Sequence, residues 1–136
     1  RGLLTARRAL IEEAYATLVR LGIGNDASSV VRELPYGKQR LVEIAIALAA
    51  EPSVLLLDEP AAGVPGGENG IILNVIEQLP AGIAVLMIEH DMDLVFRFAR
   101  RITVMVRGTI LVEDTPDQIA ADPRVREVYL GTRVHD

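Results

Sequence analysis

The sequence has no cysteine and no tryptophan, and only three tyrosines and two phenylalanines in 136 residues. Without cysteine, disulfides and thiolate metal sites are excluded. With so few aromatic rings, the core has to be built from Leu, Ile, Val and Ala. The two histidines, His90 and His135, are too few and too far apart along the chain to suggest a metal cluster. Basic charge is not in excess either. Lys and Arg number 14 against 19 Asp and Glu, a net charge of -5, so a whole-chain basic field for nucleic acid is absent. No apolar run approaches the roughly 20 residues that span a bilayer. Arg1 to Arg8 shows no signal-peptide pattern and no initiator Met, an abrupt start that suits a fragment, a processed product or a trimmed chain.

What is present is ordinary globular composition, 50% hydrophobic and 24% charged, in a length that suits one domain or a large piece of one. Leu10, Ala14, Leu18 and Leu21 form one stripe, which predicts a helix over Ala9 to Leu21 that Gly22 and Gly24 end. Asn25 to Glu33 reads as a polar connection with a short turn. Leu41, Ile44, Ala45 and Leu48 predict a second helix from about Gly37 to Ala50, stopped by Pro52. Val54 to Leu57 is apolar at every position, as a strand buried on both faces of a parallel sheet should be. A Gly- and Pro-rich loop, Gly63 to Gly70, leads to a helix over Ile71 to Leu79, and Ile83 to Ile88 is a second all-apolar strand.

Asp91 can cap a helix with Leu94, Val95 and Phe98 on its inner face, and with Arg97, Arg100 and Arg101 at the end where the helix dipole favours cations. Ile102 to Val106 and Thr109 to Val112 read as a hairpin turning at Arg107-Gly108. Thr115-Pro116-Asp117-Gln118 has the form of a capping box, and Asp122-Pro123 opens a last helix that Gly131 can end. Helices alternating with buried strands indicate an α/β sheet with crossover helices, and the hairpin an antiparallel addition at an edge.

Three places carry chemistry. Asp58 and Glu59 follow the first apolar strand, where ligands gather in open α/β sheets. One carboxylate there can hold a hydrated magnesium ion while the next polarises an attacking water. Leu34 to Arg40 precedes a helix. Gly37 allows close backbone approach, and Lys38 and Arg40 sit in a first turn whose dipole disfavours cations unless an anion is brought there. Glu89-His90-Asp91 follows the second strand, so His90 is expected at the same sheet edge as Asp58 and Glu59, able to contact a phosphate or the water. Each alone has a plain structural reading: a solvated acidic loop, a glycine turn before an ordinary helix, and a hydrogen-bonded histidine at a strand–helix junction.

Taken together in this order, the set resembles the C-terminal part of ABC transporter ATP-binding subunits, over essentially the whole chain. Leu34 to Arg40 resembles their signature sequence and Val54 to Glu59 their magnesium and catalytic-carboxylate strand. Ala61-Ala62-Gly63-Val64-Pro65 resembles their inter-subunit loop, and His90 their switch histidine. Leu34 to Ala45, Asp58 to Gly63, Ile88 to Met92 and the ending Val128-Tyr129-Leu130-Gly131 are similar to bacterial branched-chain amino-acid uptake ATPases. The fold implied is α/β, a partial P-loop NTPase (ABC ATPase) fold. Residues 1–50 would be part of the helical signature subdomain and 51–136 the C-terminal part of the catalytic core.

The resemblance implies ATP and Mg2+ as cofactors. Asp58 would hold the metal through water, and Glu59 and His90 would be catalytic, as general base and terminal-phosphate sensor. Tyr36, Gly37, Lys38 and Gln39 would face the ATP of a second ABC ATPase subunit. It also implies permease membrane subunits as partners, no nucleic acid, and a cytoplasmic position on the inner face of the cell membrane. Pro35 stands where the signature has Ser, Tyr36 where it has its first Gly, and Pro65 where the inter-subunit loop has Asp. The phosphate loop Gly-x-x-x-x-Gly-Lys-Ser/Thr does not occur, the one Gly-Lys pair being Gly37-Lys38. This chain alone is therefore expected to be inactive as an ATPase and, with sheet edges uncovered, to self-associate. Two other readings stand beside an importer ATPase: a non-catalytic ABC-fold interaction module, and a nucleic-acid- or ribosome-associated ABC ATPase.

Overall fold

The computed structural model describes residues 2–64 and 69–130. Packing divides the chain into two units, Arg1–Ile88 and Glu89–Asp136.

The first unit opens with α1 (Gly2–Arg20), longer than the predicted helix at its N-terminal end because no breaker stands among those residues. It ends where the glycines placed it. Gly22 takes φ +75°, the Gly22 N–H donates to Val19 O at 3.0 Å and the Ile23 N–H to Leu18 O at 2.9 Å. That pair of bonds closes a helix with a left-handed glycine just beyond it and tucks Ile23 into the core. Gly24 has no room for a side chain, since a Cβ there would lie 2.6 Å from Val19 Cγ2. Two single 3-10 turns, Gly24–Asp26 and Val31–Glu33, form the connection.

Next come α2 (Tyr36–Leu48), β1 (Val54–Asp58), α3 (Asn69–Glu77) and β2 (Ala84–Ile88). β1 and β2 pair in parallel, Val54 opposite Ala84 through to Asp58 opposite Ile88, with α3 in the crossover. The core is helical. Leu21, Ile23, Leu41, Ile44, Ile72 and Val75 close together, and the sheet adds little beyond Leu55 and the partly buried Leu57. The expectation of strands buried on both faces is corrected here. Leu56 is 70% exposed and Leu86 and Ile88 each 61%. Apolar composition records what a strand is suited to lie against; among the described residues β1 and β2 form a two-stranded sheet, and two strands cannot enclose themselves.

The stripe predicted for α1 is also only partly packed. Leu10 is exposed, and with Ala14, Leu21, Leu48, Val75 and Ile83 it lines an open cleft of about 590 Å³ within this unit. Among the described residues no helix is long and apolar enough to cross a membrane.

In the second unit, α4 (Met92–Phe98) has the predicted cap. Asp91 Oδ1 accepts the N–H groups of Asp93 and Leu94 at 3.0 and 3.3 Å. Its packed face is Val95, Phe96 and Ala99 in place of the expected Leu94, Val95 and Phe98, which shifts the buried stripe by part of a turn. β3 (Ile102–Val106) and β4 (Thr109–Asp114) form the hairpin. Arg107 and Gly108 both have positive φ, +50° and +78°, as a two-residue turn matched to strand twist requires. A register shift lies between Val104 and Met105.

α5 (Pro116–Ala121) and α6 (Pro123–Leu130) follow. Ile119 and Val125 pack on Ile102 and Val104. The capping box at Thr115 is not formed. The Thr115 side chain makes no cap bond, and its N–H donates to Asp114 Oδ1 at 2.8 Å, a carboxylate one residue away that outcompetes the more distant Gln118. Gly131, the expected end of α6, lies outside the described residues.

Two tests follow from the second unit. Arg107 carries left-handed strain that Asn tolerates, so Arg107→Asn should raise stability by up to about 1 kcal/mol in urea unfolding. Hydrogen bonds from Thr103 and then Arg101 (2.6 Å) hold the Glu113 carboxyl below its ordinary value of 4.5. A depressed carboxyl stabilises the fold above its unfolded value and loses that contribution as pH falls through its folded value. Stability measured from pH 6 down to pH 2 should therefore fall less steeply in Glu113→Gln than in the unaltered chain.

Candidate functional site

The carboxyl end of β1 is set by backbone bonds before any side chain matters. Asp58 stands level with Ile88 in the parallel register. Glu59 then leaves the strand with φ +43°, its N–H donating to Ile88 O at 2.9 Å, and its carbonyl accepts the Ala62 N–H at 3.0 Å. Pro60, Ala61 and Val64 are buried, anchoring the loop as it turns away. A side chain bearing residue in the left-handed region costs about 1–2 kcal/mol. Such strain concentrates where function requires a fixed geometry.

Asp58 is exposed and Glu59 half-buried. Asp58 borders a hollow of about 190 Å³ shared with Arg40, Glu43, Ile44 and Pro60. Carboxylate oxygen at an open strand end is the donor type magnesium takes, in a shell otherwise completed by water and phosphate oxygens. No group of three His, Cys, Asp or Glu side chains forms a metal cage among the described residues. Asp58 thus fits a hydrated ion held by one carboxylate, and does not fit a metal enclosed by protein.

The signature-like segment is held from within the chain. Pro35 caps α2 through its backbone, and its carbonyl accepts the N–H groups of Lys38 (2.9 Å) and Gln39 (3.1 Å). An anion at this helix start is left with the N–H groups of Tyr36 and the buried Gly37. Gln39 Nε2 donates to Leu34 O at 2.8 Å. Lys38 Nζ pairs with Asp26 Oδ2 at 2.8 Å, and Arg40 with Glu43 Oε2 at 2.7 Å. The Glu43 hydrogen bond is the main cause holding the Arg40 guanidinium above its ordinary pKa.

The argument that these two cations call for an outside anion is therefore corrected: both charges have partners of their own. The 3-10 turn ending at Asp26 is what carries a carboxylate to Lys38 across 12 residues of sequence. Arg40–Glu43 was readable as an i, i+3 helix pair; Asp26–Lys38 carried no local signal.

Tyr36 turns its ring toward Gly63 in the loop beyond Glu59. His90 belongs to the second unit, where it is exposed between Glu89 and the capping Asp91. One oxygen of Glu89 is buried without a hydrogen-bond partner, as is Arg40 Nε. Pro65 lies outside the described residues.

Residues 5–62 match the family described as ABC transporter, and residues 109–135 that described as branched-chain amino acid ATP-binding cassette transporter. The chain belongs to the ABC transporter ATPase family. The high-affinity branched-chain amino acid transport ATP-binding protein LivG of Escherichia coli K12 is 38% identical over 128 residues, covering 93% of this chain and 50% of that protein. The corresponding BraF protein of Pseudomonas aeruginosa is 37% identical over the same shares. A solved ATP-binding cassette of an ABC transporter, MJ1267 in its ADP conformation, superposes with a TM-score of 0.79 at 34% identity. It is covered over 50% of its length by 90% of this chain.

The chain therefore has the ABC ATPase (P-loop NTPase) fold in part, and spans about half the length of the curated relatives it matches. Within this ABC ATPase segment, strain at Glu59 is measurable apart from its side chain. Glu59→Gly should be more stable than Glu59→Ala by about 1 kcal/mol in urea unfolding, because both lose the carboxylate and only glycine relieves a positive φ.

Proposed function

We propose that this chain supplies the magnesium-and-water side of the ATP hydrolysis site of an ABC importer for branched-chain amino acids. The observation that carries the reading is the fixed pair at the end of β1: Asp58 open to solvent, and Glu59 locked in a left-handed turn by its bond to Ile88. Similarity to LivG and BraF supports the choice of cargo class.

In this reading Asp58 would hold Mg2+ through water, and Glu59 would accept the proton of the water that attacks the terminal phosphate of ATP. Bound Mg2+ would supply charge neutralisation on the phosphate oxygens. The turn at Glu59 fixes the backbone from which its side chain leaves, which narrows where the carboxylate can reach before substrate arrives. His90 is the candidate sensor of the terminal phosphate. Gly37 brings backbone N–H groups toward the ATP of a second ATPase subunit, while Tyr36, Lys38 and Gln39 complete that segment. Residues 1–50 serve as the helical signature subdomain and 51–136 as the C-terminal part of the catalytic core. The partners are permease membrane subunits and a second ATPase subunit, with the whole on the inner face of the membrane. The exposed Leu56, Leu86 and Ile88 favour association of separate chains.

Hydrolysis by a complete subunit containing this segment tests the assignment. Glu59→Gln should lower turnover by about 10²–10⁴-fold, the usual worth of a positioned base, with ATP still bound. Turnover within threefold of the unaltered subunit would remove Glu59 from that role.

A further inference from the structure

Tyr36 occupies the place where the family's signature has a glycine, and its ring is spent on the chain's own loop. A Cβ placed on Gly63 would lie 3.4 Å from Tyr36 Cε1, 3.8 Å from its hydroxyl and 3.9 Å from Cζ, so the ring faces the open side of the Gly63 backbone at the distance of an ordinary side-chain contact. Gly63 has φ +73°, a conformation that already favours glycine. The ring is fixed from α2 as well. The Arg40 guanidinium carbon lies 5.1 Å from the ring centroid, within cation–π range, and Arg40 is itself held by Glu43. Ring, guanidinium and carboxylate follow one another at intervals of four and then three residues along α2, about one turn each, so a helix presents the ring.

What the ring meets is the loop that begins at Glu59. Among its described residues that loop has the backbone bonds Ala62 N–H to Glu59 O at 3.0 Å and Val64 N–H to Ala61 O at 3.3 Å. Glu59 meanwhile sits in a strained conformation that the surroundings must maintain.

We infer that Tyr36 is a positioning residue, seating the Gly63 backbone against α2 so that the turn carrying Glu59 stays closed. In the proposed ATPase it would act through the loop, linking the signature helix to the hydrolytic carboxylate inside one chain. Only the value of that link rests on the proposed function. The seating itself can be tested without nucleotide, so the two fail separately.

Residue-specific amide exchange by NMR on the full chain tests it, comparing Tyr36→Ala, Tyr36→Leu and Tyr36→Phe. In Tyr36→Ala the Ala62 and Val64 amides should exchange at least tenfold faster, while the Ile23 amide at the end of α1 is unchanged. Tyr36→Phe keeps the ring and should stay within threefold at every site. Tyr36→Leu keeps apolar volume and guards against general collapse. The inference is overturned if Ala62 and Val64 exchange at the unaltered rate in Tyr36→Ala. It is equally overturned if Ile23 accelerates as much as they do in both Tyr36→Ala and Tyr36→Leu, since the ring would then merely hold up the unit.

Discussion

The candidate site depends on the parallel pairing of β1 with β2, and on the single bond that continues it past the strand end, from the Glu59 N–H to Ile88 O. Register decides everything downstream of it. A slip of one residue would exchange the faces of every side chain in β1 and carry Asp58 off the end of the pair. The chain turns at Glu59 directly after that bond, and the positive φ there is the cost of turning on a residue with a side chain. Asp58 and Glu59 are adjacent in sequence yet differ in environment, one open to water and one half-buried in a turn. That difference is what allows two neighbouring carboxylates to be assigned different tasks.

Packing supports this arrangement from the helical side. The sheet contributes little to the core of the first unit, so α2 and α3 must hold the strands in place through Leu41, Ile44, Ile72 and Val75. The same α2 begins with the signature-like segment. Its internal pairings, Lys38 with Asp26 and Arg40 with Glu43 and Tyr36, make that helix start a fixed body. The Lys38–Asp26 pair is partly exposed and worth at most about 1 kcal/mol. Its effect lies more in where it directs Lys38 than in stability.

The features legible in sequence were those decided within a few residues. Asp91 caps α4, Gly22 ends α1, and Arg107-Gly108 turns the hairpin, because each rests on local backbone preference. The positions of β1 and β2, and the family itself, were legible for a related reason: apolar runs ending in Asp-Glu and Glu-His are contiguous strings. What could not be read needed knowledge of neighbours in space. The exposure of Leu56 and Leu86 depends on which strands lie beside them. The Asp26–Lys38 pair and the Tyr36–Gly63 contact join segments distant along the chain. At Thr115 the failure was of another kind, since two acceptors competed for one N–H and the nearer, Asp114, won.

The two sheets also differ in how they are joined. β3 and β4 meet across Arg107-Gly108, whereas β1 reaches β2 only after a crossover that includes α3. Closing a hairpin takes on the order of microseconds and confines few residues, while a long crossover must be ordered before its parallel strands repay the entropy. The hairpin can thus assemble from the residues around it alone. The site-bearing pair, though it leaves the ribosome first, has to wait for everything between its two strands.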